Sequence, residues 1–389
     1  MEVRTVALMV SDFEDGGVER NFTRLALGLA RLGVGTSLLV GNPGHPYLDG
    51  LDGAVSIQRV SGDRSGFLRN YLAREGPDIL LTGKLADDMA AVAARGNTAA
   101  APATRLVAAV GTLMSGRLAG HGWDPVKNWR ETRRIRSCYV RLDGLTAVSR
   151  AVADDLTHHF GITRVPIAVL NNPILPDDLD TLAAAPCRHP WLQDPRGAER
   201  PPVILALGGL RQVKDFATLL RAFALLPRPN ARLLIIGEGK EREKLAALGR
   251  RLGIAGRVDL RGFVDNPFPY LARSDLVVLS SRREGLPNVL VESMALGTPV
   301  VATDCSGGVR ELLQDGRLGA LAPVGDPQAL NRAITRAIDD VRMGALDPDP
   351  LRAAPRPYHL LPAARAYLKF FAKLDRADAS SPASDQTAL

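Results

Sequence analysis

Two glutamates lie in a segment whose pattern predicts an anion-binding site. Glu284 and Glu292 belong to the segment Arg283 to Gly297, REGLPNVLVESMALG, which follows an apolar run of strand length. We predict a helix that begins near Pro287, and its free backbone N–H groups would bind an anion such as a diphosphate. Glu284 then lies at the mouth of this site and Glu292 about 7 to 8 Å along the helix. Carboxylates so placed accept hydrogen bonds from hydroxyl groups, one from a ribose and one from a sugar, which matches the layout of a nucleotide sugar.

A lysine after another predicted strand is the second candidate for catalysis. In LALGGLRQVKDFATLLRAF, Gly208 and Gly209 end a strand and Lys214 stands just before a helix. A cation is unfavourable at a helix start unless it holds an anion. Fixed positive charge beside a departing nucleoside diphosphate stabilises the transition state more than the ground state. We therefore expect Lys214 to act together with Glu284.

A purely structural interpretation of the same residues stays open at this point. An isolated pair of glutamates with this spacing is more simply explained if Glu284 caps the helix and Glu292 is exposed to solvent. Lys214 would then be a surface lysine near a helix start. The strand before the motif and the helix after it favour the functional interpretation.

Apolar runs of strand length alternate with helical segments through both halves of the chain. The first half contains VALMV, TSLLV, DILLT, RLVAAV, GLTAVS and PIAVLNN, and the second half repeats the alternation from VILALGG to PVVATD. This pattern predicts an α/β protein with two doubly wound, Rossmann-like parallel-sheet domains. Ligands of such sheets bind outside the carboxyl ends of the strands, so we expect the active site in a cleft between the two domains.

The proline-rich segment after residue 175 predicts a boundary between the domains. Near the end, PAARAYLKFFAKL is an amphipathic helix, which we expect to pack back towards the first domain, and the polar tail is predicted to be disordered. The predicted division is an acceptor-side domain (1–175), a linker (176–201), a nucleotide-sugar-binding domain (202–350), a helical segment (351–375) and a tail (376–389).

Bulk properties exclude several classes of protein. A length of 389 residues suits two domains, and 46% apolar with 23% charged residues is typical of globular proteins. We expect no cleaved signal and no membrane-spanning helix. Three cysteines without a C-x-x-C spacing argue against a disulfide framework and a zinc site, and they favour a reducing cytoplasm.

A short stretch of the first half is strongly basic. Arg130, Arg133, Arg134, Arg136 and Arg141 crowd together beside a tryptophan and a lysine. Two interpretations are open. The stretch attracts an anionic partner, either lipid headgroups at the inner face of a membrane or an acidic acceptor, or it is a solvated helix face. We expect no nucleic-acid partner, because no recognition helix, metal finger or aromatic single-strand motif accompanies the charge.

Taken together, these motifs resemble the retaining glycosyltransferases of family 4, which have the GT-B fold, and the resemblance covers nearly the whole chain. The segment EGLPNVLVESMALGTPVVATDCSGGVRELL is close to that of relatives that build bacterial surface polysaccharides. LGGLRQVKDF, IIGEGKEREKL, GFVDN and DGRLGALAPVGDPQAL also fit. In the first half the resemblance rests on DFEDGGVERN, TAVS and NNP.

The resemblance implies roles for individual residues. Glu284 would bind the donor sugar's hydroxyls beside the anomeric centre, Glu292 the ribose and Lys214 the diphosphate. It also implies retention of anomeric configuration, no required metal or other cofactor, a nucleotide-sugar donor, commonly UDP-linked, and a glycan or lipid-linked acceptor. Further donor contacts are implied at Gly285, Leu286, Asn288 and Val289 through backbone groups, and at Gly16 and Gly17 of the first domain.

Two positions depart from the family pattern. Many relatives carry an arginine where this chain has Gly209, and we hypothesise that Arg211 reaches into the site instead. Many also carry a histidine after the strand equivalent to Arg105 to Val110, where this chain reads VGTLMSG. His121 lies nearby in sequence, but a lone histidine in a glycine-rich loop is more often structural or exposed.

Other functions are compatible with the same fold. A sugar-nucleotide epimerase also uses two Rossmann-like halves, and it would turn over without an acceptor. A catalytically silent sugar-nucleotide-binding protein would bind without releasing nucleotide. A nicotinamide-dependent oxidoreductase is disfavoured, because neither first strand is followed by a well-placed G-x-G-x-x-G with an acidic ribose partner.

Overall fold

The first half of the chain forms a seven-stranded parallel sheet. The computed structural model describes residues 2–13, 16–51, 53–96, 104–118, 124–194 and 200–374. The strands are β1 (Thr5–Val10), β2 (Gly35–Val40), β3 (Ser56–Arg59), β4 (Ile79–Thr82), β5 (Arg105–Val110), β6 (Gly144–Ala147) and β7 (Ile167–Val169). Their order across the sheet is β3-β2-β1-β4-β5-β6-β7, and the ladders between them are parallel.

The second half forms a six-stranded parallel sheet. Its strands are β8 (Val203–Leu207), β9 (Arg232–Ile236), β10 (Val258–Gly262), β11 (Leu276–Leu279), β12 (Val300–Thr303) and β13 (Ala320–Ala322). They are ordered β10-β9-β8-β11-β12-β13. The predicted fold class, two doubly wound parallel-sheet domains, is therefore confirmed.

Helices cover the sheets. The first half contains α1 (Gly17–Arg31), α2 (Arg64–Glu75), α3 (Leu85–Arg95), α4 (Ser115–Leu118), α5 (Pro125–Tyr139) and α6 (Arg150–Asp154), and α7 (Leu179–Ala184) follows it. The second half contains α8 (Phe216–Ala224), α9 (Arg242–Arg251), α10 (Phe268–Arg273), α11 (Asn288–Ala295), α12 (Gly307–Leu312), α13 (Pro327–Arg342), α14 (Pro348–Ala353) and α15 (Leu360–Lys373). No helix within the described residues is long and apolar enough to cross a membrane.

The central strands are apolar throughout because both faces of each sheet are covered. Every residue of β4, β6, β11 and β12 is buried. Such strands have continuous apolar sequences instead of alternating ones, which is why they stand out in the sequence. The edge strand β3 is short and mostly exposed.

The predicted linker is partly helical. Its helix α7 packs against α10, and Leu179 and Leu192 are buried in the core of the second domain. Burial of these two side chains fixes the segment against the second domain. The domain boundaries at 175 and 202 stay a prediction.

The chain returns to the first domain at its end. The backbone N–H of Leu175 donates to the carbonyl of Tyr358 at 3.0 Å, so the two crossings between the domains lie side by side. Helix α15 then packs along α1, where Tyr367 and Phe371 are buried in the core of the first domain. The predicted disordered tail lies outside the described residues.

Both sheets reverse their strand order at a point where ligands of such folds bind. In the first sheet the reversal lies between β1 and β4, and in the second between β8 and β11. The loops at the carboxyl ends of β1, β8 and β11 carry the glycines, the lysine and the glutamates singled out above. The topology therefore gathers the candidate residues at the switch points.

Candidate active site

Lys214 and Glu284 form an ion pair in the second domain. The Nζ of Lys214 lies 2.7 Å from Oε1 of Glu284, and the Oγ of Ser281 donates to the same oxygen at 2.6 Å. The side chains are 24% and 14% exposed, so the pair is partly buried but reachable from solvent. The two residues are brought together although they are 70 positions apart in the sequence.

The loop geometry holds Lys214 in this place. Lys214 ends a 3-10 turn after β8, and its carbonyl accepts a hydrogen bond from the Oγ of Ser280 at 2.8 Å. The next residue, Asp215, has a positive φ of 45° and caps α8 by accepting from the N–H of Thr218. The carboxylate of Asp215 also accepts from Nε of Arg282 at 2.9 Å. The lysine loop and the glutamate loop are thus tied by two ion pairs.

The purely structural interpretation of Glu284 is wrong. Helix α11 begins at Asn288, one residue after the expected Pro287, and it has no side-chain cap. The carboxylate of Glu284 contacts Lys214 and Ser281 instead. The first backbone N–H groups of α11 are therefore left without a side-chain cap, as an anion-binding helix start requires.

A second helix start faces the first one across the domain interface. Helix α1 begins at Gly17 with Gly16 before it, and among the described residues it too has no side-chain cap. A Cβ added at Gly17 would lie 3.2 Å from Nδ2 of Asn288, and this Nδ2 is 3.3 Å from Oδ1 of Asn21. The two helix starts therefore meet at the domain interface, where the positive ends of their dipoles favour an anion.

Gly285 brings the two domains into backbone contact. A Cβ added there would lie 2.0 Å from the carbonyl oxygen of Gly111 and 3.1 Å from Cα of Thr112, in the loop after β5. The carbonyl of Gly285 similarly leaves no room for a side chain at Gly308. We expected Gly285 to let the backbone approach a phosphate, and the structure adds that this glycine is needed for close contact between the domains.

Two neighbours of Gly285 belong to the packing around the site. Leu286 is half-buried and packs against the cores of both domains, and Val289 is buried in the second core. Their predicted donor contacts concern backbone groups, which lie at the start of α11. Those contacts stay predictions.

Glu292 is completely buried, so its interpretation as an exposed residue is wrong. It lies in α11 with 0% exposure, and neither carboxylate oxygen has a hydrogen-bond partner among the described residues. A guanidinium nitrogen of Arg20, on α1 of the first domain, lies 3.6 Å from its Oε1. Buried carboxylates normally accept hydrogen bonds, so these free acceptors indicate a place for a ligand's donors.

Arg211 lies beside the glycine that replaces the expected arginine. A Cβ added at Gly209 would lie 3.3 Å from Nε of Arg211. The residue is exposed, and within the described ranges no side chain pairs with its guanidinium. It is thus available to a ligand at the mouth of the site.

Sequence reasoning missed the contribution of α1. Arg20 and Asn21 lie three and four residues after Gly17 and face α11 of the second domain. Their place in the first turn of a helix after β1 could have indicated this, but their partners depend on how the domains meet. His121 lies outside the described residues.

No metal site accompanies the constellation in the part of the chain that the structure describes. There, no group of three or more histidine, cysteine or acidic side chains is placed to hold a metal ion. The cysteines Cys138, Cys187 and Cys305 are free. The positive charge close to Glu284 comes from Lys214.

Two family models match most of the chain. The model described as Glycosyltransferase Family 4 matches residues 15–178, and the one described as Glycosyl transferases group 1 matches residues 201–340. The first covers the loop with Gly16 and Gly17. The second covers Lys214, Glu284 and Glu292.

Curated relatives match over long stretches. The lipopolysaccharide core biosynthesis glycosyltransferase LpsE of Rhizobium meliloti is 29% identical over 353 residues, which cover 84% of this chain and 87% of the relative. An N-acetylgalactosaminyltransferase of Campylobacter jejuni that acts on a diphospho-undecaprenol-linked acceptor is 29% identical over 236 residues, or 61% of this chain and 62% of the relative.

Solved structures share the whole architecture. HepE of Anabaena, crystallised with UDP, superposes with a TM-score of 0.74 at 18% identity and covers 95% of this chain and 99% of its own. The sucrose-phosphate synthase of Thermosynechococcus elongatus gives a TM-score of 0.78 at 17% identity, with coverage of 95% and 99%. At these identities the likeness concerns the fold, which is the two-domain GT-B architecture.

Proposed function

This chain belongs to the glycosyltransferases of family 4, and from that premise we propose that it transfers a sugar from a UDP-linked donor to a glycan or lipid-linked saccharide in cell-surface polysaccharide synthesis. We further propose that transfer retains the anomeric configuration. The observation that carries the proposal is the Lys214–Glu284 ion pair, which lies next to an uncapped helix start at the domain interface.

The donor would replace the contact between the two residues of this ion pair with contacts to itself. In the absence of donor, Lys214 and Glu284 satisfy each other at 2.7 Å. When a nucleotide sugar enters, its diphosphate offers Lys214 a doubly charged partner, and the sugar hydroxyls offer Glu284 hydrogen-bond donors. The start of α11 would bind phosphate and sugar oxygens through backbone groups at Gly285, Leu286, Asn288 and Val289, while Gly16 and Gly17 approach from the other domain.

Catalysis would rest on stabilisation of the leaving group. As the bond between the anomeric carbon and the phosphate oxygen breaks, negative charge grows on the diphosphate. Lys214 and the helix starts are fixed near that charge, so they lower the barrier without reorganisation. The acceptor hydroxyl would attack from the face that the leaving group departs from. Its proton would pass to the departing phosphate oxygen, so the step requires no metal ion.

Two further contacts complete the proposed donor site. Glu292, whose buried carboxylate oxygens lack hydrogen-bond partners among the described residues, would accept hydrogen bonds from the ribose hydroxyls. Arg211, beside Gly209, would reach the diphosphate in place of the arginine that many relatives carry.

A nucleotide-release assay tests this function. Purified protein is screened against a panel of sugar nucleotides, with and without lipid-linked oligosaccharide acceptors. Lys214→Ala and Glu284→Ala are each expected to lower transfer by about 100-fold to 1,000-fold, because each removes a charge-specific contact at the reacting centre. The control Lys240→Ala removes an exposed lysine of the same domain and should transfer normally.

The outcomes separate this function from its competitors. Near-normal transfer in Lys214→Ala or Glu284→Ala would overturn the site. Conversion of the nucleotide sugar without acceptor would indicate an epimerase. Binding without nucleotide release would indicate a silent binding protein.

We also propose that the basic helix α5 contacts an anionic membrane surface. Val126 and Trp129 are 56% and 59% exposed, and the guanidinium of Arg133 lies 5.4 Å above the ring of Trp129. Helix α5 follows α4, where the carbonyl of Gly116 accepts a hydrogen bond from Arg283 of the second domain. A membrane bound at α5 would thus lie near the cleft and could present a lipid-linked acceptor to it.

Vesicle co-sedimentation tests the membrane contact. Binding to vesicles that contain phosphatidylglycerol should exceed binding to pure phosphatidylcholine vesicles and should fall as salt is raised. Arg133→Ala should weaken binding about fivefold, since one cation near such a surface contributes about 1 kcal/mol. Arg250→Ala, an exposed arginine on α9, should bind as the wild type does. Equal binding of both variants would contradict the assignment of α5.

A further inference from the structure

Glu292 is a charged side chain in an environment that does not solvate it. It is 0% exposed, and both carboxylate oxygens lack a hydrogen-bond partner among the described residues. Removal of a carboxylate from water costs several kcal/mol unless an opposite charge lies close by. Something in the structure must therefore balance this charge.

Two arginines of α1 face Glu292 from the other domain, and they differ in what they contact. Arg24 is buried, and burial lowers its pKa to about 10. Its guanidinium donates to the carbonyl of Ile174, and the charge of Glu292 raises its pKa and partly opposes the effect of burial. Arg20 is 24% exposed, and its guanidinium nitrogen lies 3.6 Å from Oε1 of Glu292.

The contact of Arg20 with Glu292 is ionic and not a hydrogen bond. At 3.6 Å the charges attract, yet the oxygens keep their lone pairs. A hydrogen-bonded salt bridge would have occupied these acceptors. The arrangement thus balances the charge and leaves the acceptors open to a ligand.

We propose that Arg20 is a positioning residue for nucleotide recognition: it balances the buried charge of Glu292 across the domain interface and leaves both carboxylate oxygens free to accept from the ribose hydroxyls. This inference rests on the proposed function, in which Glu292 contacts the ribose. Arg20 lies on the first domain and Glu292 on the second. Ribose binding is therefore strongest when the domains are together, which couples donor binding to domain closure.

Variants of Arg20 test whether charge at this position governs ribose binding. Arg20→Met removes the charge and should raise the donor KM about tenfold, a loss comparable to one hydrogen bond to a charged group, while kcat changes less than about threefold. Arg20→Lys keeps the charge and should restore the donor KM, because the contact requires no fork geometry. Arg31→Met is the control on the same helix, since Arg31 pairs with the exposed Asp177 far from Glu292.

Calorimetry measures the affinity for UDP and for its 2′-deoxy and 3′-deoxy analogues. A merely structural role of Arg20 would not change the preference among these ligands. Wild-type protein should prefer UDP over the weaker deoxy analogue by about tenfold. Arg20→Met should lose this preference, and it should have no further effect in a Glu292→Gln background, because Arg20 acts through Glu292.

The failures of the two proposals are distinguishable. If the wild type binds UDP and transfers sugar but Arg20→Met keeps the wild-type preference for the ribose hydroxyls, the role of Arg20 is overturned and the proposed function stands. If Arg20→Lys fails to restore the donor KM, the ionic role is also overturned. If the wild type neither binds nucleotide nor transfers sugar, the proposed function fails first.

Discussion

At the scale of single residues, the site contains charged groups that have an ionic partner without a ligand and acceptor atoms that have no hydrogen-bond partner among the described residues. Lys214 and Glu284 satisfy each other at 2.7 Å and can exchange that contact for a diphosphate and a sugar hydroxyl. Glu292 is buried, and both of its carboxylate oxygens lack a hydrogen-bond partner in the part of the chain that the structure describes. We infer that the ion pair keeps the reacting centre ordered before donor binds and that the free carboxylate provides selectivity for the nucleotide.

Asp88 gives a residue-scale prediction that concerns stability. Burial raises the pKa of Asp88 to about 7, although the Oγ1 of Thr82 donates to its carboxylate at 2.6 Å and partly opposes the shift. In the unfolded chain an aspartate titrates near pH 4. The folded protein therefore holds an extra proton between about pH 4 and pH 7, and this contribution to stability is lost as pH rises through that range.

We expect Asp88→Asn to remove this pH dependence. The Tm of the variant minus that of the wild type should grow from about pH 4 to pH 7 and stay level above it. Thermal unfolding of both proteins across this pH range measures the difference in Tm. The contributions of groups that titrate alike in both proteins cancel in this difference. A difference that does not change with pH would refute the prediction.

At the scale of elements, the site depends on loops that follow parallel strands and lead into helices. Within the described ranges, the starts of α1 and α11 lack side-chain caps, and they meet where Asn288 donates to Asn21. Their free N–H groups and dipoles favour an anion in the gap. The loop after β5 meets the loop before α11 at Gly285, so the ends of four strands, β1, β5, β8 and β11, define the site.

Gly285→Ala tests the contact between these loops. Its methyl group would overlap the carbonyl of Gly111, which a Cβ approaches at 2.0 Å, and such overpacking costs about 1 to 3 kcal/mol. We expect the domains to be held apart and transfer to fall about tenfold or more. The transfer assay measures this.

Gly249→Ala provides the matched control for that change. Gly249 lies in α9, where an added Cβ meets nothing within 4 Å. This variant should transfer as fast as the wild type. Equal activity of both glycine variants would mean that the loops do not require close contact for transfer.

At the scale of the whole molecule, the domains are joined by more than the two chain crossings. The carboxylate of Glu311, on α12 of the second domain, accepts from the backbone N–H groups of Arg150 and Ala151 of the first domain, each at 3.2 Å. Nearby, a cavity of about 210 Å³ opens between the domains and is lined by Ser149, Glu311 and Tyr358. The final helix α15 lies after the second domain in sequence and packs into the core of the first.

Phe371→Ala tests how far the first domain depends on α15. Phe371 is fully buried, so its truncation should lower the free energy of unfolding of that domain by about 3 to 5 kcal/mol. Lys369→Ala on the exposed face of the same helix should change it by less than about 0.5 kcal/mol. Chemical denaturation followed by circular dichroism gives both values. Equal stability of the two variants would show that α15 is dispensable for the first domain.

The sequence by itself determined the fold class, and it singled out the candidate residues of the site. Buried parallel strands such as β8 and β11 are continuous apolar runs, and the loops after them carry Lys214 and Glu284 in recognisable patterns. The short edge strands β3 and β13 were not predicted, because an exposed or three-residue strand has no apolar run to mark it.

Tertiary structure alone decided how the residues meet. Arg20 makes an ionic contact with the buried Glu292, and Gly285 meets Gly111. Both contacts join residues from different domains. Sequence patterns report local periodicity, which sets the elements and their loops. They do not report how two separately folded sheets are placed relative to each other. The charge balance and the openness of this site depend on that placement.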